Sequence, residues 1–376
     1  MKKKKVLFLI ESFIVGGAER VLIDIANNLD ASKYDITVCS VYKHSVYKGY
    51  NKTFDNPFKS HIHYKYIINN HIGCLYIIFN YIVNKVPNLL YKLLIGDQYE
   101  TVVAFYEGFP TYWIANAHLK RGKKIAWLHT STKLSQHGKN KAELQKQRNY
   151  YLQYDKIIGV SQGVTDSFKE LFPSIQNVEV IYNPINSCLI QEKASQSIPL
   201  KKTIYPTIVS VGRMTGAKGY ERWLKVLLKL KNKGYKFQAW IIGGGNREEH
   251  ERFVKTNQLN DYVIFLGHID NPYPYITTAD WVACPSLLEG LSTVVLESIV
   301  LGKAILATDC PGMKELLGES QYGIVCDNNE DAIEKATEQI FVQTSLHEKF
   351  ENLALIRKPF FELQKSINQI EYIIND

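Results

Sequence analysis

The sequence predicts an α/β fold made of two consecutive doubly wound domains, each with a parallel sheet covered by helices. Short apolar runs of strand length alternate with longer segments of helical periodicity, and this alternation occurs once in each half of the chain. The length of 376 residues, with 45% hydrophobic residues, is sufficient for two domains of ordinary size with buried cores. We therefore expect two Rossmann-like halves.

The first half contains six apolar runs that we interpret as strands of one parallel sheet. A continuous apolar run is typical of a strand that is buried on both faces. The first run, VLFLI, leads through ESFIVGGAER into a helical segment with Val21, Leu22 and Ile25 on one face. The six predicted strands begin at residues 6, 36, 101, 124, 156 and 178.

The second half repeats the pattern from Thr207 onward. Helical segments join its apolar runs, and parallel strands connected by crossover helices form one sheet. The residues from 345 to 375 contain only helical patterns. The predicted strands are TIVSVG, QAWIIGGG, VIFLG, WVACPS, AILAT and YGIVC.

The boundary between the halves is predicted from local composition. Asn183 and Pro184 mark a turn, and the polar residues that follow them are typical of a linker. The predicted parts are a first domain at 1–186, a linker at 187–203, a second domain at 204–355 and a terminal helix at 356–376.

Charge is distributed unevenly between the halves. Residues 1–185 contain 24 Lys and Arg against 14 Asp and Glu, a balance of +10, whereas the remainder contains 21 against 23. A basic domain attracts anionic partners. Lipid head groups and a phosphate-bearing acceptor both fit, and we expect the first domain to face an anionic membrane surface. We expect no nucleic acid, because no nucleic-acid-binding motif is present.

Residues 42–100 show the least regular pattern. Within them, 72–94 is apolar and aromatic but contains Lys85 and Lys92, and Pro87 either ends one helix or begins another. Two interpretations stay open. The segment is either a helix packed on the core of the first domain or an interfacial helix that lies on an anionic membrane.

The densest chemistry lies in the second half. Arg213 and Lys218 follow its first strand, at the sheet edge where open α/β sheets bind ligands. Arg offers a bidentate fork and Lys a point charge, so the two cations suit a diphosphate. The next strand ends in a glycine-rich stretch that includes Gly243 and Gly244.

Two carboxylates, Glu289 and Glu297, are separated by seven residues around the predicted start of a helix. The free N–H groups and the dipole of a helix start favour a phosphate or a sugar oxygen. Two carboxylates placed there can accept hydrogen bonds from hydroxyls on two parts of one polyol, although glutamates at an exposed helix edge are the simpler interpretation. The residues at the helix start are Gly290, Leu291, Ser292 and Thr293.

Together these motifs resemble the retaining glycosyltransferases of family 4, which have the GT-B fold. The resemblance is carried by Glu-x7-Glu after an apolar strand, the upstream Gly-Arg…Lys-Gly, the glycine-rich strand end and GGAER at residues 16–20. It covers nearly the whole chain. The sequence departs from the family at Ala217, where an acidic residue often precedes Lys-Gly, and this puts only the fine positioning of Lys218 in doubt.

The resemblance implies two domains that face each other across a cleft, with the terminal helix crossing back to the first domain. The second domain would bind a nucleotide-sugar donor, expected to be a UDP-sugar. Arg213 and Lys218 would neutralise the leaving diphosphate, while Glu289 would hold sugar hydroxyls and Glu297 ribose hydroxyls. The implied donor residues of the second domain are Arg213, Lys218, Gly243, Gly244, Glu289, Gly290, Leu291, Ser292, Thr293 and Glu297.

Four residues of the first domain follow predicted strands. Gly16 and Gly17 form a β–α turn whose backbone can come close to a ligand, and the resemblance implies that they approach the donor. Glu107 and His129 end two later strands and are expected on the acceptor side, although a lone histidine is more often structural. The catalytic set implied by the resemblance is Glu289, His129, Arg213 and Lys218.

The implied activity is a retaining, metal-independent transfer of a hexose, without a cofactor, to a glycan or lipid-linked oligosaccharide in the synthesis of capsule or another surface polysaccharide. No Asp-x-Asp occurs, which argues against the metal-dependent class of glycosyltransferase. We expect a cytoplasmic protein, peripheral at the inner face of the cell membrane, because no secretory signal or apolar stretch of membrane-spanning length is present. A catalytically silent nucleotide-sugar-binding subunit, a phosphorylase and an epimerase stay open as alternatives.

Overall fold

The computed structural model describes residues 2–13, 16–43, 56–69, 73–119, 122–132 and 140–376, leaving aside the side chains of 73–76. The chain forms two compact units. The first unit runs to Pro184 and also includes Gln364–Asp376, and the second comprises Ile185–Leu363. Each unit is an α/β Rossmann-like domain with one parallel sheet, as predicted.

The described residues of the first unit form a seven-stranded, entirely parallel sheet. The strands are β1 Lys4–Ser12, β2 Tyr34–Tyr42, β3 His63–Ile68, β4 Thr101–Ala104, β5 Lys123–Leu128, β6 Lys156–Gly159 and β7 Val178–Val180. Their order is β3-β2-β1-β4-β5-β6-β7. The chain order therefore reverses at β1, which lies between β2 and β4.

Helices cover this sheet. Pro87 begins a helix, so of its two predicted positions, at the end of one helix or at the start of another, the structure shows the second. The helices described here are α1 Gly17–Asn28, α2 Gly73–Lys85, α3 Pro87–Leu94, α4 Phe109–Asn116, α5 Lys141–Tyr151 and α6 Gln162–Leu171.

The second unit repeats the architecture with six parallel strands. They are β8 Thr207–Val211, β9 Gln238–Ile242, β10 Val263–Gly267, β11 Trp281–Cys284, β12 Ala304–Thr308 and β13 Ile324–Cys326. Their order is β10-β9-β8-β11-β12-β13, so the reversal falls at β8. Ligands bind in open α/β sheets at the carboxyl ends of the strands beside such a reversal.

The core of the second unit lies between this sheet and its helices. Trp223, Leu227 and Leu230 of the helix after β8 are completely buried in it. The helices are α7 Ser187–Ala194, α8 Tyr220–Asn232, α9 Glu248–Thr256, α10 Tyr273–Thr278, α11 Thr293–Val300, α12 Met313–Leu317, α13 Glu330–Val342 and α14 Ser345–Arg357.

Two segments differ from the predicted organisation. The first half of the expected linker 187–203 is helix α7, which Asn186 caps through a bond from the Leu189 N–H at 3.1 Å and which packs on α10 and α11 of the second unit. Ile190 is buried in that contact. Strand β3 was not predicted, because its side chains alternate and lie at the sheet edge instead of forming an apolar run.

The last helix, α15 (Leu363–Asn375), belongs almost entirely to the first unit. It begins later than the predicted 356, because α14 and a short 3-10 turn fill the residues before it. Lys123 Nζ donates to the Ile373 carbonyl at 2.8 Å, and Glu371 accepts from the Asp30 N–H at 3.1 Å. A cation at the end of a helix is favourable for the helix dipole.

Candidate active site

The predicted donor residues of the second unit follow three neighbouring strands at one edge of its sheet. Arg213 comes after β8, Gly243 after β9 and Glu289 after β11. Since β8 pairs with both β9 and β11 in parallel, these carboxyl ends lie side by side. The fold therefore gathers chemistry that is spread over some eighty residues of sequence at the point of strand reversal.

Lys218 and Glu289 form the central ion pair of this edge. Lys218 Nζ lies 2.5 Å from Glu289 Oε1, and the same oxygen accepts a hydrogen bond from Ser286 Oγ at 2.7 Å. Cys284 Sγ is 3.9 Å from that oxygen. The side chain of Glu289 is 11% exposed and that of Lys218 25%, so the pair is largely shielded from water but still reachable.

Burial and the neighbouring carboxylate have opposite effects on the pKa of Lys218. Loss of water would lower the pKa of Lys218, but the Glu289 carboxylate outweighs this and holds the pKa above its usual value. The positive charge of Arg213 has a smaller effect in the opposite direction and lowers the pKa of Lys218. Burial, and then Glu289, raise the pKa of the Cys284 thiol, so Cys284 is a neutral neighbour. The edge thus holds two cations against one paired carboxylate.

Gly219 allows the loop that carries Lys218 to lie against the end of β11. The 3-10 turn Gly216–Lys218 precedes Gly219, which has a φ of +68°. A Cβ atom at Gly219 would lie 2.1 Å from the Pro285 carbonyl oxygen. Both the left-handed backbone and the close approach therefore require glycine here.

The loop after β11 is held by groups that the sequence did not single out. The Ala217 carbonyl accepts a hydrogen bond from the Leu287 N–H at 2.8 Å. The guanidinium of Arg222 donates to the Pro285 carbonyl at 2.7 Å and to the Ser286 carbonyl at 2.8 Å. Arg222 thereby fixes the turn that presents Ser286 to Glu289. Its position one helical turn after Lys218 was the only signal in the sequence.

The ends of β8 and β9 also come unusually close. A Cβ atom at Gly243 would lie 1.8 Å from the Gly212 carbonyl oxygen, so a side chain there has no space. The Met214 N–H donates to the Gly244 carbonyl at 2.8 Å, which continues the pairing beyond the strands. Arg213 lies between these contacts and is exposed. The paired backbone thus leaves the Arg213 side chain facing solvent at the edge.

Helix α11 begins where the sequence predicted, with Ser292 as its N-cap. Ser292 Oγ accepts from the Val295 N–H at 3.4 Å. Leu291 and Gly290 are buried in front of it, and Thr293 is the first helical residue. The first N–H groups of a helix have no partner within the helix, so this start can bind an anion or a sugar oxygen.

Glu297 lies within α11 and is only 3% exposed. Its Oε1 accepts a hydrogen bond from the Tyr273 hydroxyl at 3.0 Å. Tyr273 was not identified from the sequence, which contains no pattern that links it to Glu297. The two glutamates of the Glu-x7-Glu pair thus have separate partners, Tyr273 for Glu297 and Lys218 for Glu289.

In the first unit, Gly16 and Gly17 lie at the start of α1, which follows β1 in the chain. Gly16 is the N-cap residue with extended backbone and no side chain to cap the helix. A Cβ atom at Gly16 would meet the carboxylate end of Glu19 at 2.5 Å, which is a flexible group. The start of α1 lies at the strand reversal of its sheet, which is the position of the donor edge in the second unit.

Glu107 lies in the turn after β4, because that strand ends at Ala104 and not at 108. A single oxygen, Oε1, accepts from the His129 N–H at 2.7 Å, the Thr130 N–H at 2.8 Å and the Thr130 hydroxyl at 3.2 Å. Loss of water raises the pKa of Glu107, and these backbone bonds limit the rise. Glu107 therefore holds the turn after β5 and thereby positions His129.

His129 is enclosed by aromatic rings. Its ring centroid is 4.8 Å from that of Phe105 and 5.7 Å from that of Tyr106, which stacks on it. Burial lowers the pKa of His129 to about 3, despite a hydrogen bond to the backbone of Phe105. The ring is neutral at physiological pH, and within the described residues its Nε2 is a buried atom without a partner. Such a nitrogen suits a ligand hydroxyl.

Among the described residues, no group of three or more His, Cys, Asp and Glu side chains is arranged to hold a metal ion. Within the same residues, none of the helices has the length and apolar character required to cross a bilayer.

Family models match both halves of the chain. Residues 15–187 match the family model Glycosyltransferase Family 4, and residues 191–355 match Glycosyl transferases group 1. An uncharacterized glycosyltransferase of Haemophilus influenzae is 27% identical over 99% of this chain and 100% of its own length. N-acetylgalactosamine-N,N'-diacetylbacillosaminyl-diphospho-undecaprenol 4-alpha-N-acetylgalactosaminyltransferase of Campylobacter jejuni is 28% identical over 60% of this chain and 61% of its own.

Solved structures share the fold at low sequence identity. Sucrose-phosphate synthase from Thermosynechococcus elongatus superimposes with a TM-score of 0.81 at 14% identity, covering 99% of this chain and 98% of its own. Anabaena HepE, solved with UDP and glucose, gives a TM-score of 0.74 at 18% identity and covers 99% of both chains. The two family models together account for most of the sequence, and the protein belongs to the GT-B glycosyltransferases of group 1 and family 4.

Proposed function

We propose that this glycosyltransferase moves a sugar from a UDP-sugar to a hydroxyl of a glycan or lipid-linked oligosaccharide, with retention of the anomeric configuration and without a metal ion. The product would enter a surface polysaccharide such as a capsule. The observation that carries the proposal is the Lys218–Glu289 pair at 2.5 Å, with Arg213 beside it, at the strand reversal of the second unit.

The two cations suit the leaving diphosphate. In the reaction the bond from the sugar C1 to the donor phosphate oxygen breaks, and C1 bonds to the acceptor oxygen on the same face. The acceptor proton passes to the leaving phosphate oxygen, so no protein base is needed. Fixed charges aimed at an atom where negative charge develops supply a large share of catalysis. Arg213 and Lys218 have this role, and the raised pKa of Lys218 keeps it charged.

The glutamates serve the hydroxyl groups of the donor. Glu289 is held by Lys218 and Ser286 through one oxygen, Oε1, and is proposed to accept from sugar hydroxyls. Glu297 is proposed to hold the ribose, with its carboxylate oriented by Tyr273. The backbone from Gly290 to Thr293 binds phosphate or sugar oxygens, while Gly243 and Gly244 border the base.

The first unit is proposed to receive the acceptor. Neutral His129 offers Nε2 as a hydrogen-bond acceptor for a hydroxyl, and Glu107 keeps the turn that carries it in place. Gly16 and Gly17 give backbone access at the strand reversal of this unit. Two relatives support an acceptor of this kind, because the Campylobacter jejuni enzyme is a diphospho-undecaprenol N-acetylgalactosaminyltransferase and an Escherichia coli relative is an O-antigen biosynthesis glycosyltransferase.

The decisive experiment measures nucleotide release from a panel of UDP- and GDP-sugars, with and without a crude lipid-linked acceptor. We expect release with one UDP-sugar, dependent on acceptor and lost in Glu289→Ala. Glu221→Ala is the matched control, because Glu221 pairs with Lys225 at 2.7 Å on the surface and is 80% exposed. The anomeric configuration of the product, read by NMR, and the rate in excess EDTA test retention and metal independence.

Each other outcome contradicts a defined part of the proposal. Tight UDP-sugar binding without release from any donor would favour a catalytically silent subunit. Release that needs inorganic phosphate, or conversion of the free donor without acceptor, would identify a phosphorylase or an epimerase. No nucleotide binding at all would overturn the donor site.

A further inference from the structure

An exposed apolar surface lies on two helices of the first unit, α2 and α3. Of the large hydrophobic residues that the structure describes as exposed in this unit, eight of eleven fall between residues 77 and 94. The remaining three are scattered, as single exposed hydrophobic residues are in most proteins. An apolar surface concentrated on two consecutive helices indicates a partner.

The exposed residues form one stripe on each helix. On α2, Ile77, Ile78, Tyr81 and Ile82 are exposed, and their pairs at separations of three and four residues place them on one broad face. The opposite face of α2 packs inward, where the ring of Phe79 contacts that of Trp113 at 5.7 Å. The helix is therefore apolar on both sides, which a helix that merely covers a core does not need.

Helix α3 continues the stripe. Leu89 and Leu93 are exposed four residues apart on one face, whereas Tyr91 on the other side is completely buried. The start of α3 is fixed by Trp113 Nε1, which donates to the Pro87 carbonyl at 3.0 Å. Both helices are thus held on the first unit, and their outer apolar faces are part of a fixed surface.

The charged residues of the two helices are of one sign. Lys85 closes α2, and its Nζ lies 5.6 Å above the ring of Tyr81. Lys92 lies beside Leu93 near the end of α3. From 73 to 94 the sequence has two lysines and no acidic residue. An apolar stripe bordered by lysines and tyrosine matches a lipid bilayer, where apolar side chains enter the acyl boundary and ammonium groups reach the headgroups.

We propose that α2 and α3 form a docking surface for a membrane of anionic phospholipids, with the stripe Ile77–Leu93 in the interface. A second copy of the chain fits less well, because an isologous contact on this surface would bring the lysines of both copies together without a carboxylate from this segment to pair them. The inference goes beyond the proposed function, since vesicles that contain no sugar acceptor test it directly.

The experiment measures co-sedimentation of the full chain with vesicles. One set contains phosphatidylcholine and phosphatidylglycerol in equal parts, and the other contains phosphatidylcholine only. We expect binding to the anionic vesicles that weakens in high salt, because screening acts on the lysine contribution. Ile77→Asp combined with Leu93→Asp should lower the partition coefficient by at least about tenfold, since both side chains then oppose burial in the interface.

The controls use the same chemistry elsewhere on the chain. Ile77 and Ile356 are both 68% exposed, and Ile356 lies in the second unit, so Ile356→Asp should leave binding unchanged. Lys85→Glu with Lys92→Glu should weaken binding to anionic vesicles by at least about 30-fold and remove the preference for them. Thermal unfolding checks that every variant folds.

Three results would overturn the proposal. In the first, the unmodified chain stays in the supernatant with both vesicle types. In the second, the Ile77→Asp/Leu93→Asp variant binds vesicles as well as Ile356→Asp does. In the third, vesicle binding is absent, and size-exclusion chromatography shows a dimer that only the Ile77→Asp/Leu93→Asp variant abolishes. The last result would assign the surface to a second copy. Because no nucleotide-sugar is present, none of these results depends on whether sugar transfer occurs.

Discussion

Glu107 and Glu289 occupy the same kind of position in the two units, yet their carboxylates are used differently. Both follow a parallel strand at the carboxyl edge of a sheet. Glu107 Oε1 accepts from the protein's own backbone N–H groups of residues 129 and 130. Glu289 Oε1 accepts from two side chains, Lys218 and Ser286, that carry a charge and a hydroxyl.

The difference in partners indicates different roles, since Glu107 holds a loop and Glu289 is placed to contact a ligand. Two backbone N–H groups in a turn have few alternative partners, so the Glu107 contacts persist whether or not a ligand binds. The ammonium group of Lys218 can bind a phosphate in place of the carboxylate, or bind both at once, at little cost, because both are anionic hydrogen-bond acceptors. The pair Lys218–Glu289 is therefore suited to rearrange around a donor, whereas Glu107 is suited to keep His129 in place.

The largest expected effect comes from breaking the exchangeable pair. Lys218→Ala should reduce the rate of sugar transfer by about 100-fold or more, because loss of one preorganised group at a developing charge costs roughly 3–4 kcal/mol. UDP affinity should fall as well. Isothermal titration with UDP and steady-state kinetics measure the two quantities.

Lys225→Ala supplies the control for that variant. Lys225 also pairs with a glutamate, Glu221, at 2.7 Å, but both side chains are largely exposed. Surface pairs contribute about 0–1 kcal/mol, so transfer and UDP affinity should stay near those of the unmodified protein. Equal losses in both variants would mean that position at the strand reversal does not matter, and would remove the basis for the donor site.

The sequence predicted the residues proposed to contact the donor better than those that fix the surrounding loops. Arg213, Lys218 and Glu289 were found because charged residues directly after apolar strands stand out. Ser286 and Arg222 were missed, because their roles come from contacts that only folding creates. Arg222, for example, meets the carbonyl of residue 285, sixty-three positions away.

For the fold, too, the sequence predicted the elements with a clear local pattern and missed those whose structure depends on distant contacts. Buried parallel strands are continuous apolar runs, so most strands of both sheets were located. Strand β3 at the edge and helix α7 in the expected linker have mixed polarity, and their partners decide their structure. For Glu107 the sequence predicted the position and an acceptor contact, but not the backbone bonds to Oε1, one of its two carboxylate oxygens.

A smaller effect is expected when the holding carboxylate is removed. Glu107→Ala leaves the N–H groups of residues 129 and 130 without their acceptor, and each such loss costs about 1–3 kcal/mol. We expect the free energy of unfolding to fall by about 3 kcal/mol in urea titrations. The transfer rate should fall because His129 is less well positioned, while UDP affinity should not change.

Glu107→Gln distinguishes geometry from charge. The amide keeps an oxygen at the position of Oε1, so this variant should recover most of the stability and the rate. If Glu107→Gln were as damaging as Glu107→Ala, the negative charge itself would be required, and the acceptor-side role first expected for Glu107 would be favoured over a holding role.

Lys218, the partner of Glu289, and His129, which Glu107 positions, differ in charge. The pH dependence of stability tests this difference. Attraction by Glu289 keeps Lys218 charged, whereas burial keeps His129 neutral, with a pKa of about 3. An exposed histidine titrates near 6.5. Between these two values the unfolded chain binds a proton that the folded chain does not, so the free energy of unfolding must decrease as the pH falls through this window.

At pH 5 the contribution of His129 to this loss is about 2 kcal/mol relative to neutral pH. Urea titrations at pH 7 and pH 5 should therefore show a smaller decrease in His129→Gln than in the unmodified protein, by about that amount. Glu107 has a raised pKa and gives the opposite slope, but it is present in both proteins and cancels in the difference. Identical slopes would mean that His129 is protonated in the fold, and a charged ring could no longer offer Nε2 to a ligand hydroxyl.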